Sequence, residues 1–165
     1  MPLFEWTHQM SVGIDVIDTD HKLLIALINQ LDDAVKTGQA KETTASVLNV
    51  LYDYTDFHFG REERMMAAVG YPDLENHLKS HAALKDKVME IRDSFSLCDI
   101  DGIEGEVMDL LKDWLKEHIM GRDRLYQAAM NEHLEAALEA AEDFSPSKAW
   151  LDDDEAEDDP FNPKD

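Results

Sequence analysis

Four stretches of this chain repeat apolar residues at the spacing of an α-helix, and no strand pattern of comparable quality competes. From Thr19 onward, Leu23, Leu24, Leu27, Ile28, Leu31 and Val35 form one stripe. Thr19 or Asp20 can cap its start, and Gly38 ends it. A second segment runs from Lys41 to Val69 and carries Val47, Leu48, Leu51, Tyr54, His58, Glu62 and Met65, before Gly70-Tyr71-Pro72 stops it. A third starts near Asp73 with Leu74, His77, Leu78, His81, Leu84, Val88, Ile91 and Phe95. Asp99, Asp101 and Gly102 mark a loop. The fourth starts near Ile103 with Val107, Leu110, Leu111, Trp114, Leu115, His118 and Ile119. Four amphipathic helices on short connections predict an all-α fold, an antiparallel up-down-up-down four-helix bundle.

The segments flanking these helices differ from them. Residues 1–18 hold scattered apolar side chains without a helical period and read as an ordered arm that packs its aromatics on the bundle. Arm and bundle together take up residues 1–127. Residues 128–144, rich in Ala, Glu and Leu, read as a helical extension of the fourth helix beyond the bundle. Residues 145–165 read as a disordered acidic tail.

Charge removes several functions. The 165 residues carry a formal net charge of −22. Such a surface repels phosphate backbones and anionic lipid, so neither nucleic acid nor a membrane is an expected partner. The longest apolar run, Leu23 to Ile28, is too short to span a bilayer. The N-terminus shows no basic region leading into an apolar run, so no signal peptide is expected. The single cysteine, Cys98, cannot form an internal disulfide and reads as a small apolar residue in a reducing compartment. A cytoplasmic location is expected, and the acidic C-terminal tail is a candidate site for a protein partner.

Histidine supplies the chemistry. His58 and Glu62 stand four residues apart, as do His77 and His81. Four residues turn an α-helix by about 400°, so each pair projects from one face. His118 and Asp123 stand five apart, about 140° out of register, and need a π-bulge or distortion at Gly121 to face the same way. His21 lies near the start of the first helix. All five histidines share the phase of the apolar stripes, as does Glu62. Burying Glu62 and Asp123 without partners costs several kcal/mol each. In an antiparallel bundle the four sets meet at one depth.

A metal centre accounts for this set. With no thiolate, a structural zinc site is disfavoured, and calcium or magnesium would not select imidazole. Two octahedral transition ions offer about twelve positions. Five imidazoles, two bridging carboxylates and one bridging oxygen leave one position open, which is what reversible capture of a diatomic ligand needs.

The ordered set His21, His58-x-x-x-Glu62, His77-x-x-x-His81, His118-x-x-x-x-Asp123 resembles the hemerythrin family in its bacterial form. The arm with Trp6, the stretch Ile17-Asp18-Thr19-Asp20-His21 and the stretch Trp114-Leu115-Lys116-Glu117-His118-Ile119 add to the resemblance, which covers roughly residues 4–127. It implies two non-haem iron ions bridged by Glu62, Asp123 and an oxo or hydroxo group. It implies His77, His81 and His118 on one iron, His21 and His58 on the other, and O2 binding at the latter. Asp20 stands where many relatives carry glutamine, which bears on the support of the ligands. Phe59, Trp114 and Ile119 are expected to wall the O2 pocket.

The resulting expectation is a binding protein rather than an enzyme, reversibly holding O2 for storage, transport or delivery. An O2 or redox sensor acting through the C-terminal extension is the alternative. A di-iron oxidase or peroxidase ranks behind both, because such centres pair Glu-x-x-His on two helices and the one such motif, Glu5 to His8, lies in the arm. His8 and His133 are expected at the surface, and Met65 and Met66 in the core. Glu63, about 100° round the helix from Glu62, is expected to face away from the metals.

Overall fold

The computed structural model describes residues 1–39, 41–97 and 105–144. Six α-helices and no strand occur among the described residues: α1 (Asp15–Lys36), α2 (Lys41–Ala68), α3 (Leu74–Leu97), α4 (Gly105–Glu117), α5 (Arg124–Glu132) and α6 (Leu134–Asp143). A π-helical segment, His118–Asp123, joins α4 to α5. The helix that sequence spacing requires to be distorted at Gly121 is therefore distorted there. Helices α1, α2, α3 and the α4–α5 rod form the antiparallel bundle: α2 packs against α1 and α3, and α4 packs against α1. Cys98, the Asp99–Gly102 loop and the acidic tail fall outside the described residues.

Helix ends follow local chemistry. Gly38 and Gly70 adopt φ of 63° and 67° just past α1 and α2. Each is followed by a backbone bond back into the last turn, Gln39 N–H to Ala34 O at 3.0 Å and Tyr71 N–H to Met66 O at 3.0 Å. Both are Schellman endings, which need a left-handed residue that only glycine adopts without strain. The start of α1 differs from the sequence expectation. It begins at Asp15, four residues before Thr19, with Asp15 and Asp18 in its first turn where the helix dipole favours acid. Asp18 accepts the Val12 N–H at 2.9 Å and the Ser11 hydroxyl, tying the arm down. Thr19 and Asp20 are thus inside the helix and cap nothing.

Two apolar clusters fill the interior. The larger joins Leu24, Ile28, Leu31, Leu48, Leu51, Leu84, Val88, Leu111 and Leu115, closed by Phe4 from the arm. The smaller joins Val12, Ile14, Ile17, Met65, Met66, Tyr126, Met130, Ala137 and Ala141. Met65 and Met66 are core, and His8 and His133 are exposed, as expected. Leu23, Leu78 and Leu110 are exposed: each neighbours the true stripe by one residue, and about 100° of rotation carries it to solvent.

The C-terminal extension does not leave the bundle. The chain breaks helix at His133 (φ −124°, ψ 43°), and α6 folds back along α2. Ala137 and Ala141 form the buried face of α6, small enough for close approach to α2. Phe144 stacks on Phe57 with ring centres 5.3 Å apart.

Candidate metal centre

Between the two apolar clusters lies one polar layer. On α1 it is His21, between Ile17 and Leu24. On α2 it is His58 and Glu62, between Leu51 and Met65. On α3 it is His77 and His81, and on the π-helical segment His118 and Asp123. Every one of these seven is at most 3 % exposed. The structure brings together all seven residues singled out by spacing, and the i→i+5 turn of the π segment is what lets His118 and Asp123 share a face.

Each carboxylate reaches two groups of imidazoles. Asp123 Oδ1 lies 3.1 Å from His77 Nε2 and 2.9 Å from His118 Nε2, while its Oδ2 lies 3.0 Å from His21 Nε2. Glu62 Oε2 lies 3.1 Å from His81 Nε2 and 3.5 Å from His58 Nε2, and its Oε1 lies 3.6 Å from His21 Nε2. Donor atoms of Glu62, His77, His81, His118 and Asp123 lie within 4.8 Å of one another, as do those of His21, His58 and Glu62.

These contacts fall within ion-pair distance but form no hydrogen bonds between the facing atoms. The Nε2 atoms of all five histidines, Glu62 Oε2 and both oxygens of Asp123 are buried without a hydrogen-bond partner. Buried polar atoms are normally satisfied, and a convergent set of orphans with nitrogen and carboxylate donors is what a cation would complete. The residues therefore fit a metal pair.

Protonation reports the same frustration. Burial depresses the pKa of His21, but the Asp123 and Glu62 carboxylates beside it override that and carry it up to about 10. His81 is likewise disfavoured by burial, yet Glu62 and Glu63 bring it up to about 9. Burial and the charge of Asp123 work against ionising Glu62, but His58, His21 and His81 hold it well below the usual carboxylate range. Burial works against Asp123 as well, and His118, His21 and His77 lower it. Without a metal, protons balance the carboxylates.

The outer nitrogens are held by residues that spacing did not reveal. His58 Nδ1 meets Asp20 Oδ2 at 3.1 Å, His81 Nδ1 meets Glu63 Oε1 at 2.9 Å, and His118 Nδ1 meets the Ser80 hydroxyl at 3.1 Å. Glu63 does face away from the Nε2 cluster, but it grips the back of His81 instead of standing free. Tyr126 donates its hydroxyl to Glu62 Oε1. Burial and the two nearby carboxylates push its phenol well above its ordinary value, so it stays a donor. Three residues after Asp123, Tyr126 shares its helix face, which is the signal that could have found it.

The walls divide. Phe59, buried, lies flat on His81 at 3.8 Å between ring centres, and Ile119 is fully buried beside His118. Trp114 stacks on His118 at 4.9 Å but is only partly buried, and it borders a surface groove of about 390 Å³ with Ser80, Glu117, Gly121, Arg122 and Leu125. Of the three expected pocket residues, Trp114 therefore backs its histidine from the solvent side.

A four-helix bundle with buried imidazoles and carboxylates converging between two apolar clusters defines a cation-binding bundle protein. Residues 12–130 match the model of the hemerythrin HHE cation binding domain. The chain is 34% identical over 134 residues to a bacteriohemerythrin of Stenotrophomonas maltophilia (strain R551-3), covering 81% of this chain and 86% of that protein. It is 30% identical over 131 residues to a bacteriohemerythrin of Clostridium acetobutylicum, covering 75% of this chain and 98% of the relative. A crystal structure of wild-type hemerythrin superposes with a TM-score of 0.73 at 27% identity, over 78% of this chain and 98% of that one. The chain belongs to the hemerythrin family.

Proposed function

We infer that this protein binds O2 reversibly at a buried non-haem di-iron centre. In this reading His77, His81 and His118 would hold one iron and His21 and His58 the other, and Glu62 and Asp123 would each offer a carboxylate to both. The observation that carries this reading is Asp123, whose Oδ1 faces His77 and His118 while its Oδ2 faces His21. A carboxylate placed between two imidazole groups suits a bridge. When bound, the iron pair supplies a redox-active centre able to take up and release O2.

The chain's own residues set the conditions. The His21–His58 side has one imidazole fewer, so in this reading the O2 position would lie on that side. Phe59 and Ile119 exclude water from the layer. Tyr126 keeps its proton directed at Glu62 Oε1. Asp20 and Glu63 orient His58 and His81, and such outer partners raise the basicity of the ligand they hold. The histidine-rich donor set favours binding over oxidase chemistry, which relies on more carboxylate.

The test is reconstitution of the full chain with Fe(II) without air, followed by metal analysis and optical spectra through cycles of O2 addition and removal. Two irons per chain and a charge-transfer band that appears and disappears with O2 are expected. One metal per chain, or a band that never reverses, overturns the reading. Steady consumption of O2 with an electron donor, well above autoxidation, favours an enzyme instead. A sensor is the second reading, and α6 favours it, since Phe144 at its end stacks on Phe57 and meets Gly60, beside His58 and Glu62.

A further inference from the structure

Behind His58 stands a connected set of side chains that reaches the C-terminal end of α6. The Asp20 carboxylate, 3 % exposed, accepts from Tyr54 Oη at 2.7 Å and from Arg61 Nη1, which lies 3.0 Å from each of its oxygens, and it faces His58 Nδ1 at 3.1 Å. Both oxygens of this buried carboxylate are therefore held by side chains of α2. The Arg61 side chain is itself only 12 % exposed, so little water substitutes for the pair.

What holds Arg61 is aromatic. Its guanidinium carbon lies 4.6 Å from the centre of the Phe57 ring. Phe57 stacks on Phe144, with an interplanar angle of 11°. Phe144 is fixed in turn by Arg64, whose guanidinium carbon lies 5.0 Å from its ring centre, and by a notch at Gly60. A Cβ added at Gly60 would fall 2.7 Å from Phe144 Cζ. Phe144 thus seats on residues 57–64 of α2, the two turns that present His58 and Glu62. It also lies outside the residues 12–130 matched by the family domain, so this contact belongs to the extension.

We propose that Arg61 and Phe144 are positioning residues for the His21–His58 half of the centre, acting through Asp20 on His58, so that docking of α6 sets how strongly that half holds its metal. This rests on the di-iron reading above. Asp20 fixes the ring of His58 and makes its Nε2 a better donor, Arg61 fixes Asp20 by donating to both of its oxygens, and the Phe57–Phe144 stack keeps Arg61 in place. The other half has its own support, Glu63 and Ser80, which shares no residue with this set.

The experiment is anaerobic titration of the metal-free full chain with Co(II), followed by its visible absorption, in the wild type and in Asp20→Asn, Arg61→Gln, Phe144→Ala and the Asp20→Asn/Phe144→Ala pair. The wild type is expected to bind two equivalents. Asp20→Asn weakens one of them about 10–100-fold and spares the other, the range typical of outer-partner loss. Arg61→Gln and Phe144→Ala weaken the same equivalent by less, and the double variant matches Asp20→Asn alone. The spared equivalent is assigned by its persistence in His58→Ala. Circular dichroism checks each fold, and Phe144→Ala, at the periphery, carries the test if Asp20→Asn unfolds. Equal weakening of both equivalents, no weakening of either, or additive effects in the double variant overturns the proposal. A wild type that takes up fewer than two equivalents overturns the di-iron reading instead.

Discussion

His21 and His81 carry raised pKa values because carboxylates surround them, and metal loading must displace those protons. Each imidazolium stabilises the metal-free fold fully below the ordinary value of 6.5, and the contribution fades as pH rises, through about 9 for His81 and about 10 for His21. At neutral pH, loading should therefore release one proton from each, and above about pH 10 none from either. Titration calorimetry in two buffers of different ionisation heat measures this. A release that does not change across the window would show that the two imidazoles are neutral without metal. The adjacent glutamates separate in the same assay. Glu62→Ala should abolish binding of the second metal, since Glu62 faces imidazoles of both groups. Glu63→Ala should retain both, with affinity reduced about 10–100-fold. At this scale the Nε2 side of the site was legible from spacing, and of the Nδ1 side only Asp20 was singled out, by resemblance and not by spacing. The five histidines and Glu62 announce themselves by sharing the phase of their own helix's stripe, and Asp123 by standing five residues after His118. Asp20 meets Tyr54, His58 and Arg61 across separations of 34, 38 and 41 residues, and no local pattern encodes such a meeting.

Among the elements, the π-helical segment and α6 make opposite cases. Spacing of His118 and Asp123 at i, i+5 demands a wider turn, because an α-helix would point the two groups apart, and residues His118–Asp123 form that turn. The fold-back of α6 has no such mark. Residues 124–143 contain neither glycine nor proline, and their composition suits one long helix. The break at His133 arises from packing: Ala137 and Ala141 gain burial against α2 only if the chain turns. Gly60 marks where the two elements meet, and it yields a prediction whose sign depends on Phe144. Replacing a mid-helix glycine with alanine ordinarily stabilises by about 1 kcal/mol. Here the new Cβ would collide with the Phe144 ring. Gly60→Ala should give no gain, or a loss, in the wild type, and a gain of about 0.5–1 kcal/mol in a Phe144→Ala background. Chemical denaturation of the four chains settles it, and the same gain in both backgrounds would mean that Phe144 does not occupy the notch.

For the molecule as a whole, the arrangement is two apolar clusters separated by a layer of charge. Each bundle helix passes through the layer, so no helix can bury its full length without also burying an imidazole or a carboxylate. That layer holds the converging donor atoms that have no hydrogen-bond partner within the protein. Metal binds only the assembled layer, so loading should stabilise the native state by mass action, by about 4 kcal/mol when free metal is a thousandfold above Kd. For a domain of this size that corresponds to a rise in Tm of roughly 8–16 °C, reversed by a chelator. The gain should also spread. Because α1, α2, α3 and the α4–α5 rod all cross the layer, hydrogen exchange should slow on both sides of it, at Leu24 and Leu51 in the larger cluster and at Ile17 and Met66 in the smaller. Protection confined to one cluster would mean that the layer does not couple them, and an unchanged Tm would mean that the converging donors are satisfied by protons alone.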